Sequence, residues 1–270
     1  MDLWLSVILG ALQGLTEFLP VSSSGHLRLL EHWGGVEHPT TFFDILLHVG
    51  TLVAVFTVYR SVFMKMLASM VRVICKKSTI HNEPSARLFV LACLATVPTG
   101  IIAMSFGDAM ESFAGSPNFI GSMLIVNGFL LLGLGRLQKR QEPGQGRPLD
   151  ELNVRDALVI GTIQGFGIFR GISRSGSTIT AGLGLKLDQE AAATFSFVIS
   201  VPAILGALVM KVDEAGDAGM EMHVLALGAL TAAVVGTLAL IALLRLLKKG
   251  HLHHFAWYCF ALGAAAILGM

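Results

Sequence analysis

The chain has 270 residues, of which 54% are apolar and only 14% charged, with a formal net charge of +1 and a mean hydropathy of +0.71. A water-soluble domain carries about 25% charged residues, so this chain has too few to coat a soluble globule. The balance excludes a disordered chain, a nucleic-acid binder and a secreted disulfide scaffold, and marks an integral membrane protein. Cys75, Cys93 and Cys259 are scattered and lie mostly in apolar runs, where thiols pack rather than bridge or bind metal.

The first apolar stretch, Leu3–Leu19, carries Gln13 and Glu17 and runs straight into Pro20 and three serines. With no basic stretch before it and no small-residue cleavage site after it, it does not read as a cleavable signal. Six segments then match the roughly 20 apolar residues that a spanning helix needs: Phe42–Tyr59, Leu88–Ser105, Phe119–Gly135, Thr194–Met210, Val224–Leu244 and Phe255–Met270. Of the 19 Lys and Arg residues, 14 fall in the connections 60–87, 136–155 and 245–254. The connections 106–118 and 211–223 carry mainly Asp and Glu. Basic and non-basic connections alternate, which places the basic set in the cytoplasm. Those charges, and His251, His253 and His254 beside them, are expected to be topological and lipid-facing.

Sliding the sequence on itself by 151 positions aligns ILGALQGLTEFLPVSSSGH (8–26) with VIGTIQGFGIFRGISRSGS (159–177). Seven of the 19 pairs are identical, including Gln13/Gln164, Ser22/Ser173, Ser24/Ser175 and Gly25/Gly176. FDILLHVGTLVAV (43–55) then runs against FSFVISVPAILGA (195–207). The expected fold is therefore a single all-α membrane domain, 1–270, of six transmembrane helices and two re-entrant helical hairpins arranged as an inverted-topology repeat. Repeat one is 1–135 with its hairpin at 1–41, a cytoplasmic linker covers 136–155, and repeat two is 156–270 with its hairpin at 156–193. The first hairpin enters from outside and the second from the cytoplasm. Irregular backbone at membrane depth survives only when buried in protein or lining a wet cavity, and inverted repeats place polar groups at the repeat interface. The two tips should meet.

In the first tip, Gln13 and Glu17 share a helix face by their i, i+4 spacing. Pro20 ends that helix, and Ser22, Ser23, Ser24, Gly25 and His26 follow. In the second tip, Ser173, Arg174, Ser175, Gly176, Ser177 and Thr178 form a phosphate cradle: a guanidinium fork, hydroxyl donors and glycines that admit backbone N–H groups. An intramembrane carboxylate or guanidinium is a functional candidate. Glu17, Ser23, His26 and Arg174 are the catalytic candidates. Gln13, Ser22, Ser24, Ser173, Ser175, Gly176 and Thr178 are the substrate-binding ones, with Ser22, Ser24 and Ser175 suited to capping and shaping the tips more than to chemistry. Gln13 bonds across the tip or helps to hold a cation. Asp44 and His48, one turn apart in 42–59, support the site or line a helix contact.

These motifs resemble the bacitracin-resistance family of undecaprenyl-diphosphate phosphatases, with Gln13–Glu17 and PVSSSGH (20–26) as the first motif and RGISRSGST (170–178) as the second. The resemblance covers essentially the whole chain, with one departure: Arg170 stands where the family has Pro. It implies hydrolysis of undecaprenyl diphosphate to undecaprenyl phosphate and inorganic phosphate, recycling a lipid carrier for cell-wall synthesis and conferring bacitracin resistance. It further implies a divalent cation, Mg2+ or Ca2+, held with Glu17 and Gln13, and a site facing outward from the bacterial plasma membrane. Ser23, His26 or water is the nucleophile. A lipid or anion transporter on the same repeat, and a scaffold without chemistry, are the rival readings. Small residues such as those in LGALTAAVVGTLA pack helices within one chain or across a homodimer.

Overall fold

The computed structural model describes residues 3–35, 41–113, 115–140, 145–210 and 221–269. The expected acidic connection 211–223 falls outside these residues up to position 220, as do the side chains of Asp108 and Glu111. The described residues form eleven α-helices: α1 (Leu3–Phe18), α2 (Ser23–Gly34), α3 (Thr41–Val58), α4 (Arg60–Ile74), α5 (Pro84–Phe113), α6 (Pro117–Arg140), α7 (Val154–Gly165), α8 (Arg174–Gly184), α9 (Gln189–Met210), α10 (Met222–Lys248) and α11 (Phe255–Leu268). The chain is all-α, as its apolar runs require.

The hairpin boundaries follow from local chemistry. Pro20 lacks the N–H needed to prolong α1. The Ser22 hydroxyl then caps α2 by accepting the Gly25 N–H at 3.3 Å, and Gly35 ends α2 in the left-handed conformation at φ 60°. Asn153 and Asp156 form a reciprocal capping box at the start of α7. Ser173 caps α8 by accepting the Gly176 N–H at 3.1 Å.

The two halves of the chain interlock. α1 and α3 pack on α10, α7 and α9 pack on α5, and α6 packs on α11. Small residues let the backbones close up. A Cβ at Gly10 would strike the Gly228 carbonyl of α10, and one at Gly161 the Ala95 carbonyl of α5. On α6 and α11 the approach is reciprocal: a Cβ at Gly121 would lie 2.6 Å from the Gly263 carbonyl oxygen, and one at Gly263 2.7 Å from that of Gly121.

The expected spans are matched in part by length and apolar character, and the basic connections hold more structure than expected. Four helices have the length and apolar character of full spans: Pro84–Gly107, Pro117–Arg140, Gln189–Met210 and Met222–Lys248. α3 makes a fifth only together with α4, and the pair is bent by 81°. α11 with the 3-10 turn before it forms one apolar helix, Leu252–Leu268, shorter than those four. The connection 60–87 is partly helical: α4 exposes Met64, Leu67, Val71 and Ile74 at helical spacing, the apolar stripe of a helix lying along an interface. Nor are all the basic residues merely topological. Arg72 makes a two-pronged pair with Glu83 at 2.7 Å, holding that carboxyl at about 2, well below its usual range. Arg87 donates to the Leu152 carbonyl at 2.7 Å. Arg147 donates to Asp156 at 2.9 Å and to the Leu185 carbonyl at 2.8 Å, tying the linker to the exit of the second hairpin.

Candidate functional site

The tips of the two hairpins touch. A Cβ at Gly25 would lie 3.2 Å from Gly171, and one at Gly176 3.1 Å from the Pro20 ring. Pro20 and Gly171 are repeat counterparts, as are Gly25 and Gly176, so each tip presses its glycine against the other's turn. Hydrogen bonds cross the same seam. The Gly171 N–H donates to the Ser22 hydroxyl at 3.0 Å, and the Ser175 hydroxyl donates to the Phe18 carbonyl at 3.1 Å. Asn127, fully buried on α6, donates to the Pro20 carbonyl at 2.8 Å and accepts the Ser173 N–H at 3.0 Å.

Glu17 sits at the centre, 8% exposed. Its Oε1 accepts from the Arg174 guanidinium at 2.6 Å. Its Oε2 accepts from the Ser23 hydroxyl at 2.7 Å and from the Gln13 amide at 3.0 Å. Arg174 donates also to the Ser196 carbonyl at 3.3 Å. The acid of one half and the cation of the other thus form one ion pair, with a hydroxyl on the same carboxylate. Removing either member of such a buried pair strands a charge at a cost of about 3–5 kcal/mol.

Beside this pair lies a cavity of about 320 Å3, lined among others by Glu17, Ser22, Ser23, Ser24, Ser173 and Arg174. The α3, α5 and α9 residues that line it, among them Ile45, His48, Thr99, Ala103, Ile204 and Ala207, all lie in the helix halves remote from the basic connections.

The remaining candidates separate by position. Ser175, Gly176, Thr178, Gln13 and His26 are not among the lining residues. Thr178 makes a 2.6 Å hydrogen bond with Ser196 and braces the Arg174 turn from behind. His26 points away from the cavity: its Nδ1 meets the Ser22 carbonyl at 2.7 Å and its Nε2 the Tyr258 hydroxyl at 2.7 Å. The imidazole on the cavity is His48, whose Nε2 lies 3.5 Å from Glu17 Oε2 and whose Nδ1 meets the Asp44 carbonyl at 2.8 Å. Asp44 instead pairs with Arg28 at 2.7 Å, and Arg28 with Glu31 at 2.8 Å, a staple between α2 and α3. Asn127 and Tyr258 stand outside both sequence motifs. A lone Asn inside the apolar run 119–135 was the available signal, since polar groups at membrane depth seek partners.

A divalent cation has a limited donor set here. Among the described residues no three His, Cys, Asp or Glu side chains cluster as metal ligands. Gln13 Oε1, however, is buried without a hydrogen-bond partner next to Glu17. One carboxylate and one amide oxygen are hard oxygen donors of the kind that Mg2+ or Ca2+ takes.

Residues 6–265 match the family model of the bacitracin resistance protein BacA. The chain is 40% identical to an undecaprenyl-diphosphatase of Desulforapulum autotrophicum, over 99% of this chain and 98% of the relative. It is 40% identical to that of Desulfatibacillum aliphaticivorans over 98% of each, and to that of Alkaliphilus metalliredigens over 97% of each. The chain belongs to the BacA family.

Proposed function

We infer that this chain is a membrane hydrolase that converts undecaprenyl diphosphate to undecaprenyl phosphate and inorganic phosphate, the activity for which its full-length relatives are named. Those names favour chemistry over the transporter and scaffold readings. The observation that carries the assignment of residues is the Ser23–Glu17–Arg174 chain of hydrogen bonds on the wall of the cavity.

Phosphoryl transfer depends chiefly on positioning and electrostatic stabilisation. The terminal phosphate enters between the tips, where Arg174 turns part of its fork from Glu17 to phosphate oxygens, and the Ser22, Ser24 and Ser173 hydroxyls orient them. Ser23 Oγ attacks the terminal phosphorus and passes its proton to Glu17 Oε2. The bridging P–O bond breaks, and the lipid monophosphate leaves with the bridging oxygen. Glu17 gives that proton to the departing lipid phosphate and, a carboxylate again, takes one from water. The water oxygen bonds to phosphorus, the Ser23–phosphorus bond breaks as Glu17 returns the proton to Ser23 Oγ, and inorganic phosphate departs. Glu17 is the base because it already holds the Ser23 hydroxyl, whereas both His26 nitrogens are engaged elsewhere. Glu17 and Gln13 would hold a divalent cation, which supplies neutralisation of diphosphate charge. The cavity's place in the helix halves remote from the basic connections supports a site that faces outward, and a bacterial plasma membrane is where such a carrier-recycling enzyme would sit.

The test is phosphate release from undecaprenyl diphosphate by the purified protein, with and without chelator. Wild type should release phosphate and Ser23→Ala should not, and a quenched reaction should leave phosphate on Ser23. Phosphate on His26, or on neither residue, would reassign the nucleophile. No release by wild type would remove the hydrolytic reading.

A further inference from the structure

We propose that Tyr258, on α11, is a positioning residue for this reaction: through His26 it holds the backbone turn that presents Ser23 to Glu17. The proposal rests on the hydrolytic reading above and adds a device from the opposite end of the chain.

The turn needs holding. Ser22 is a non-glycine residue at φ 70°, ψ 95°, in the positive-φ region that L side chains disfavour by about 1–3 kcal/mol. Its carbonyl is gripped twice by His26, by the main-chain N–H at 3.2 Å and by ring Nδ1 at 2.7 Å. Its hydroxyl accepts the N–H groups of Gly25 and Gly171. Ser23 is the next residue, so the conformation fixed at Ser22 sets where the Ser23 hydroxyl points. At the second tip the equivalent residue, Ser173, has an ordinary extended backbone at φ −79°, ψ 117°, and His26 is replaced there by Ser177.

The histidine is itself fixed. A carbonyl only accepts, so Nδ1 carries the proton toward Ser22. In a neutral ring Nε2 is then the acceptor, and the Tyr258 hydroxyl donates to it at 2.7 Å. The two rings stack with centroids 5.6 Å apart and planes 8° from parallel. Tyr258 remains 47% exposed yet aims its hydroxyl inward at the one ring that braces the turn. A purely packing role would need the aromatic ring and not the hydroxyl. The resulting chain runs from Tyr258 through His26 and the Ser22 carbonyl to Ser23.

The test uses full-length protein in lipid nanodiscs and undecaprenyl diphosphate. Tyr258→Phe should lower kcat about tenfold, the worth of one hydrogen bond, with KM within about twofold and an unchanged melting temperature. Wild-type kcat in Tyr258→Phe overturns the proposal. His26→Asn, whose amide nitrogen reaches the Nδ1 position, should retain at least about tenfold more activity than His26→Ala. Equal loss in both means that the ring itself does chemistry, and overturns the positioning role. With 15N-labelled histidine, the His26 signal, identified by its absence in His26→Asn, should report a proton on Nδ1 alone and shift in Tyr258→Phe. A proton on Nε2 alone contradicts the latch even in a preparation that releases no phosphate, so failure of the latch and failure of the hydrolytic reading are told apart.

Discussion

At both hairpin tips a serine caps the returning helix, a glycine three residues after it lies against the other tip, and a glutamine nine residues before it donates an amide while leaving its Oε1 buried and unpartnered. The side chains added to that shared frame differ. The first tip carries Glu17, Ser23 and His26, and the second carries Ile168, Arg174 and Ser177 at the aligned positions. Further along, Asp44 and His48 face Ser196 and Ser200 as counterparts. The first hairpin is stapled to α3 by the buried Arg28–Asp44 pair, whereas Gly182 of the second lies against Ala192 of α9. A common backbone device makes the meeting point, and divergence of side chains makes one half supply acid and hydroxyl and the other the cation.

The comparison breaks most severely at the acid. Glu17→Gln removes the base and strands Arg174, and should cut kcat/KM about 1,000-fold in a phosphate-release assay. Arg174→Lys keeps the charge and loses the fork, so a loss of about 100-fold is expected. Restored activity in the lysine variant would reduce Arg174 to a counter-ion. The shared frame is probed more gently. A methyl at Gly25 meets Gly171 backbone at 3.2 Å, and one at Gly176 meets the Pro20 ring at 3.1 Å. Gly25→Ala and Gly176→Ala should each destabilise by about 1–3 kcal/mol in thermal melts, Gly25→Ala more because backbone yields less. The smallest effect lies away from the tips. The carboxyl of Glu83 is lowered from 4.5 to about 2 by Arg72, so its contribution is complete above about pH 4.5 and fades as pH falls to about 2. Glu83→Gln should lower the melting temperature slightly at pH 7 and not at pH 2.

Much of this site is legible in the order of residues, because Gln, Glu, Ser and Arg at membrane depth have few structural uses. The partnership of Glu17 with Arg174 follows from aligning the halves. What is not legible is the direction of side chains once several helices compete for them. Ser23 and His26 share an i, i+3 face, which suggests a working pair, yet Ser23 reaches back to α1 while the His26 ring folds onto Ser22. Asp44 and His48 have identical prospects along α3 until Arg28 claims one and Glu17 faces the other. The 81° turn from α3 into α4 is not legible either, because the apolar run 42–59 passes directly into further helical residues beginning at Arg60. Asn127 shows the reverse case: a lone amide in an apolar run, outside both motifs, bridges the two tips.

The most direct measurement is a kinetic double-mutant cycle on Glu17 and Arg174, using Glu17→Gln, Arg174→Gln and the double variant in the phosphate-release assay. Residues that act as one unit are strongly non-additive, so the double variant should be no more than about threefold slower than the slower single variant. If its loss equals the product of the two single losses, the acid and the guanidinium work independently, and the shared pocket between the two halves is contradicted.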